Sequence, residues 1–456
     1  MFRNSVVLIM LSRKILLFSV CMSCISAMQA QQDAWDAIKP GIAPVLAPAY
    51  TSIYNTPQPL PLADYGWEDG LQVSFDGLHL YTLYAPADLL SWVGYLVSNP
   101  DLPICETLGS GKFIRPYAGD YGMDMLTNIF ACDTFMNLDI LHAERPSTDV
   151  PFDHWTLSDI ARPGAIEGGP YPIFNAVDPN LIDHFLFTSA SDIWMINNTT
   201  ANPDNIETAV RLPAPINPLT NEFTADNPML RRIGSDSLLL VYEKYIDPGV
   251  RDFMYCISDD DGVSWSTPQI ITTINNDAGH IEHPMVYFDG TEMWMYYSRN
   301  FDIVASRQTI PGNWDSWGDE RVIILKGNAV GIGEPSLSAN GDLYFVTVIL
   351  NPDNPDDAVD ADPWMAKIIT PNSIAASPTL TFSISPNPAT DFCVINLPVA
   401  DTYTLTVYAL DGRLIDAQQF TGMTYNLSVE DLSAGLYQIC IRSKAGLTGQ
   451  AKCIRQ

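Results

Sequence analysis

"EHPMVYFDGTEMWMYYSRN", residues 282–300, decides the fold. It reads as an acid, a proline, an apolar strand, an Asp-Gly turn and an aromatic strand. Two short apolar runs around such a turn are a β-hairpin. The same grammar returns in "EGGPYPIFNAVDPNLIDHFLFTS" (167–189), "DNPMLRRIGSDSLLLVYEKY" (226–245) and "EPSLSANGDLYFVTV" (334–348). The marker prolines Pro170, Pro228, Pro284 and Pro335 are spaced by 58, 56 and 51 residues. "DGLQVSFDGLHLYTLYA" (69–85) fits the pattern, and a poorer copy lies around "RPYAGDYGMDMLTNIFA" (115–131). A repeat of this length holds four strands, the size of a propeller blade. Six copies predict an all-β chain: a six-bladed β-propeller over residues 31–370, then a small β-sandwich. The last copy is a strand short. Residues 41–55 belong to no copy and are expected to supply that strand and close the ring.

The 456 residues carry 53 acids and 23 bases, a formal charge of −30. Residues 1–30 hold no acid, and residues 381–456 hold six acids and five bases, so the excess lies in the repeats. Such a field excludes nucleic acid and anionic membrane surfaces as partners. It suits cations, neutral ligands such as glycans, and solubility.

Residues 1–30 read as a signal peptide. Arg13 and Lys14 precede the apolar run "ILLFSVCMSCISA", which is short for a membrane span, and small residues follow. Six cysteines remain after it: Cys105, Cys132, Cys256, Cys393, Cys440 and Cys453. Their spacing makes neither a disulfide scaffold nor a zinc knuckle, and pairing is left open, although export permits bridges.

"SDDDGVSW" fits the Asp-box, S-x-D-x-G-x-[ST]-W, through Ser258, Asp260, Gly262, Ser264 and Trp265. It resembles the turns of sialidases and other propellers, where the resemblance implies a structural role. The glycine permits the tight turn, the aspartate accepts backbone N–H bonds, and the tryptophan packs beneath. "EPSLSANGDLYFVT" and "SDIWMI" are similar to TolB-like propeller repeats. The "DNP", "EHP" and "EGGP" strand starts resemble five-bladed glycosidases of the arabinanase and invertase type.

Residues 381–456 differ in composition, with "PNSIAASPTL" (371–380) as the linker. Alternating apolar residues and "DG" and "AG" turns predict the small antiparallel sandwich. The tail resembles the type IX secretion C-terminal sorting domain through Pro386-Asn387-Pro388, Asp411-Gly412-Arg413, Gly435-Leu436-Tyr437 and Lys452. That resemblance implies passage through the periplasm and then the type IX secretion machinery. The product is secreted or attached to the outer-membrane surface.

For chemistry, the repeat is the best guide. Innermost propeller strands converge on the axis, so Asp69, Glu167, Asp226, Glu282 and Glu334 are candidate catalytic acids around one channel mouth. Carboxylates facing one pocket shift each other's proton affinity and divide acid and base roles, as glycoside hydrolysis requires. The candidate ligand-binding residues are Tyr242, Lys244, Trp294, Tyr296 and Arg299: aromatics stack on sugar faces, and cations bond hydroxyls. The sharper reading is thus a propeller that binds, and processes, extracellular polysaccharide. The alternatives are a non-enzymatic adhesion or interaction propeller and a glycosidase proper. No cofactor is required. Calcium is the candidate ion, on Asp353, Asp356, Asp357, Asp360 and Asp362, hard oxygen ligands at short spacing. "HIEH" (280–283) makes a metal cluster only if a loop breaks the strand there.

Overall fold

The computed structural model describes residues 35–62, 66–85, 138–160, 167–175, 181–189, 192–217, 225–234, 236–247, 250–275, 280–351, 359–369, 380–409, 414–444 and 448–456, with single positions 88, 91, 95, 98 and 178. Each repeat is an antiparallel meander. Blade one comprises Trp67–Val73, His79–Ala85, Asp139–Glu144 and Thr156–Leu157. Blade two is Glu167–Phe174, Leu181–Ser189, Asp192–Thr200 and Val210–Arg211. Blade three is Ala225–Arg232, Leu238–Asp247, Val250–Ser258 and Gln269–Ile270. Blade four is Ile281–Phe288, Met293–Arg299, Asp302–Gln308 and Trp317–Leu325. Blade five is Gly331–Leu337, Leu343–Leu350 and Val359–Ala366.

The innermost strands neighbour one another in a ring, and that of blade five returns to that of blade one. Five blades, not six, therefore close the circle among the described residues. The reason is in blade one. His79–Ala85 pairs directly with Asp139–Glu144, so everything between them is an insertion within one sheet. The poorer copy at 115–131 falls in that insertion and lies outside the described residues.

The outer strand of blade five comes from the other end of the propeller. Gln58–Pro59 pairs with Val359–Ala366, and Tyr54 bridges Ile368. Of residues 41–55, Val45–Leu46 instead extends blade four beyond Trp317–Leu325. Lys39 anchors this N-terminal segment: it is 2% exposed and bonds Asp362 at 3.1 Å and Asp36 at 2.8 Å. Burial alone would weaken its hold on the proton, but Asp362 and Asp36 outweigh that and raise its pKa.

Between blades the second and third strands interleave large side chains. Trp294, Tyr296, Phe345 and Trp364 share one core with the N-terminal Leu46 and Tyr54. Each fully buried large apolar side chain is worth roughly 2 kcal/mol. "DG" turns join first to second strands as the pattern predicts: Asp289 accepts from the backbone N–H of Thr291 and Glu292, both at 2.8 Å, and Gly290 has φ +92°.

The tail was expected to be a sandwich. It is one continuous antiparallel sheet of Ser383–Ser385, Phe392–Ala409, Leu414–Ser428, Gly435–Ser443 and Thr448–Arg455. Phe392–Ala409 is long enough to pair with Ser383–Ser385 in its first half and Gly435–Ser443 in its second. The sheet folds over, Ala389 bridges Arg455, and one core of Cys393, Ile395, Leu405, Val407, Ile439 and Cys453 fills it. The sheet rests on blade four through Phe288 and Tyr408, whose rings lie 3.9 Å apart.

Candidate active site

The innermost strand of every blade carries a β-bulge at one position. The register shifts between Asp69 and Gln72, Gly168 and Tyr171, Asp226 and Met229, Glu282 and Met285, and Gly333 and Ser336. The second residue of each bulge has positive φ: Gly70 +64°, Gly169 +52°, Asn227 +44°, His283 +59° and Glu334 +58°. For His283 and Glu334 this conformation is strained, costing on the order of 1 kcal/mol each. Bulges re-aim side chains and break the strict alternation of a strand. Here they turn five backbones toward the axis, where the bulge residues and the following Leu71, Pro170, Pro228, Pro284 and Pro335 line a narrow throat.

Above the throat opens a cavity of about 390 Å³. Asp69, Asp226, Glu282 and Glu334 all line it, with Arg251, His280, His283 and Phe301. Glu334 is 6% exposed and accepts from the Leu71 N–H at 2.7 Å. Burial first, then the charge of Asp69 and a hydrogen bond to it, push the Glu334 pKa well above the usual carboxylate range. The Asp69 carboxylate also accepts from Trp67 Nε1 at 3.1 Å. Asp226 accepts from Asn227 N–H at 2.9 Å and Tyr245 O–H at 3.3 Å, yet burial still raises its proton affinity. Glu282 is held differently, by an ion pair to Arg251 and by His280 Nε2 at 2.8 Å. Burial lowers the His283 pKa to about 4, so this ring is neutral at pH 7; its Nε2 lies 3.4 Å from Glu334.

Glu167 is the one acid the strand does not bring to the cavity. It is fully buried, one residue earlier than Asp69, Asp226 and Glu282, where blades three to five place Ala225, Ile281 and Ile332. Successive side chains of a strand face opposite ways, so Glu167 points between blades and Gly168 and Gly169 take its place at the rim.

The candidate ligand-binding residues also separate. Tyr242, Trp294 and Tyr296 are buried in inter-blade cores and cannot stack on a ligand. Arg299 is tied to Glu320 at 2.9 Å and to the Ile274 carbonyl at 3.1 Å, outside the cavity lining. Lys244 is exposed, also outside the lining. The face of that strand which supports the site carries Glu243, missed because its neighbours were chosen. Glu243 lies beneath the cavity, accepts from Asn227 Nδ2 at 2.8 Å and His283 N–H at 2.5 Å, and pairs with Arg251 at 3.2 Å. Burial lifts its pKa to about 7 against the pull of Arg251.

Phe301 was missed as well. It is 44% exposed, lines the cavity and packs on His280 at 5.1 Å between centroids. It occupies the second position of the two-residue turn from Met293–Arg299 to Asp302–Gln308, with Asn300 at φ +52° and Phe301 at φ +68°. That turn type takes glycine there; an aromatic in its place was the available signal.

Among the described residues no group of three His, Cys, Asp or Glu is arranged to hold a metal ion. The "HIEH" side chains part company, His280 toward Glu282 and His283 toward Glu334. Asp353, Asp356 and Asp357 lie outside the described residues. Asp360 and Asp362 are not in a solvated loop but fully buried in Val359–Ala366, beside Lys39. The turn at residues 258–265 lies outside the cavity lining, and its Asp261 accepts from Arg232 at 2.8 Å. Ser258 Oγ donates to Asp260 at 2.8 Å, Ser264 N–H donates to Asp260 at 2.8 Å, Gly262 has φ +87°, and Trp265 packs half-buried on the core beneath.

Residues 383–456 match the family described as "Secretion system C-terminal sorting domain". The chain is thus a type IX cargo, exported to the cell surface or secreted. In the tail, Asn387 Nδ2 donates to the Lys452 carbonyl at 2.7 Å, joining two of the sorting motifs, and Tyr437 is buried in the core, whereas Asp411, Gly412 and Arg413 lie outside the described residues. Among the described residues no helix is long and apolar enough to cross a membrane. No curated protein matches the chain. Similar solved structures include a thermostable family-43 glycoside hydrolase at 14% identity and TM-score 0.36, covering 71% of this chain and 99% of that one. Another is fructan 1-exohydrolase IIa from Cichorium intybus at 8% identity and TM-score 0.37, covering 89% and 91%. A third is an alpha-L-arabinofuranosidase from Podospora anserina in complex with cellotriose, at 9% identity and TM-score 0.38, covering 69% and 92%.

Proposed function

We propose that this exported propeller hydrolyses extracellular glycan in the channel-mouth cavity. The observation that carries the reading is the convergence of Asp69, Asp226, Glu282 and Glu334 on one open cavity in unlike surroundings. Asp226 and Glu334 hold their protons more tightly than ordinary carboxylic acids, which suits a proton donor to a leaving oxygen. Asp69, against Trp67, and Glu282, against Arg251 and His280, suit the carboxylate that activates water or attacks the sugar. Phe301 offers an exposed aromatic face at the rim for a sugar ring. No cofactor is needed for such chemistry.

The test is a screen of plant and host polysaccharides with the purified chain. Turnover is expected, falling about 10²-fold or more in Asp226→Asn, Glu282→Gln and Glu334→Gln, as on losing an acid–base group, with thermal melting nearly unchanged. A second reading, a glycan-binding module without turnover, is favoured by the Arg251–Glu282 ion pair, which keeps that carboxylate engaged. It predicts affinity without product. A screen with neither turnover nor binding overturns both and leaves the adhesion or interaction propeller.

A further inference from the structure

We infer that Cys393 and Cys453 form a disulfide in the exported protein, fastening the last strand of the sorting domain to its longest strand. The two Sγ atoms lie 3.8 Å apart, on residues 60 positions apart in sequence, and both side chains are buried. A disulfide has its sulfurs about 2 Å apart, so closure requires only a small rotation within the pair. The strands concerned are not neighbours: Gly435–Ser443 lies between Phe392–Ala409 and Thr448–Arg455 in the sheet. The bond would therefore cross the folded-over sheet rather than duplicate a ladder contact.

The backbone around the pair is already set. Ala389 N–H donates to the Ile454 carbonyl at 2.8 Å, Gln456 N–H donates to the Ala389 carbonyl at 3.0 Å, and Ile454 N–H donates to Asn387 Oδ1 at 2.8 Å. These bonds hold the end of the last strand beside the start of the long one, so the bridge forms without moving the chain. Two other cysteines among the described residues are placed differently. Cys256 is buried in the blade-three core, and Cys440 donates to the Gly290 carbonyl at 2.8 Å. Cys105 and Cys132 lie outside the described residues.

The oxidant is the disulfide of a thiol oxidoreductase met after export from the cytoplasm. One cysteine thiolate attacks that disulfide and expels the first oxidoreductase thiolate. The second cysteine thiolate then attacks the mixed disulfide and expels the other. Two electrons and both protons end on the oxidoreductase, now a dithiol, and the tail carries the new S–S bond. Burial pushes the Cys393 thiol up to about 12, so exchange proceeds while the tail is folding and the shut core then protects the product.

The test uses the full chain taken from the periplasmic fraction, quenched in acid, alkylated in denaturant without reductant, and digested. The expected result is a linked Cys393–Cys453 peptide, about 2 Da lighter than its two reduced halves, with Cys256 and Cys440 alkylated. Alkylation of both Cys393 and Cys453 overturns the inference. Melting provides a second arm. Reductant should lower the tail transition of the full chain by several degrees, and do the same in Cys256→Ala, but leave Cys393→Ala/Cys453→Ala unmoved. An equal response to reductant in that double variant also overturns it.

Discussion

Glu243 shows how one buried carboxyl beneath the site ties stability to pH. Its pKa is about 7 in the fold and near 4.5 in the unfolded chain. Between those values the folded protein keeps a proton that the unfolded chain has lost. Its contribution to stability is therefore full below pH 4.5 and is lost as pH rises through 7. The upper bound is roughly 3 kcal/mol. Denaturant melts of Glu243→Gln are expected to vary less between pH 4.5 and pH 7 than those of the parent, and an unchanged slope would assign the titration elsewhere. At this scale four of the five acids put forward line the cavity, because an acid recurs beside the marker proline and the first strand of every blade points to the axis. The remainder turned on parity. Glu167 stands three residues before its proline and Asp226 and Glu282 two, which on a strand means opposite faces. Glu334 stands one before, and reaches the cavity because the bulge turns its backbone. Nothing local marks a bulge at residues other than glycine. The same parity put Tyr242 and Lys244 forward in place of Glu243.

The hairpin holding Phe301 gives the clearest trade between stability and ligand. A glycine there would relieve the left-handed backbone, worth about 1 kcal/mol, and would remove the exposed ring from the cavity. Phe301→Gly is therefore expected to melt no lower than the parent, and up to a few degrees higher, while glycan affinity or kcat/KM drops about tenfold, the loss of one aromatic contact. A variant that melts lower and binds equally well would show the ring to be a packing residue. Hairpins of this kind were readable from sequence wherever an Asp-Gly or Asn-Gly pair sat between apolar runs, as at Asp289-Gly290. The Asn300-Phe301 turn was harder to read, since Asn300 fits the turn but Phe301 stands where glycine is usual. The blade count failed for a related reason. A long insertion between the second and third strands of blade one imitates a repeat in length, and only strand pairing tells an insertion from a blade.

For the molecule as a whole, the tail and the propeller have separable duties. Deleting residues 381–456 is expected to leave a folded propeller that fractionates with the periplasm, because the sorting domain folds around its own core. Appearance of the truncated chain in the medium would remove the sorting assignment. The sorting tail, matched over residues 383–456, was legible from its motifs together with the change of charge and pattern near residue 380. Finally, among the described residues the outer strand of blade five is the first propeller strand to leave the ribosome, apart from Val45–Leu46, and its partner Val359–Ala366 is the last. A chain that emerges amino end first must carry Gln58–Pro59 as an unpaired segment through the making of every other blade. The circle shuts only when the final propeller strand arrives, just ahead of the sorting domain. Completion of the ring thus acts as a length gauge: a chain broken off before Val359 lacks both the strand that Gln58–Pro59 pairs with and the sorting domain.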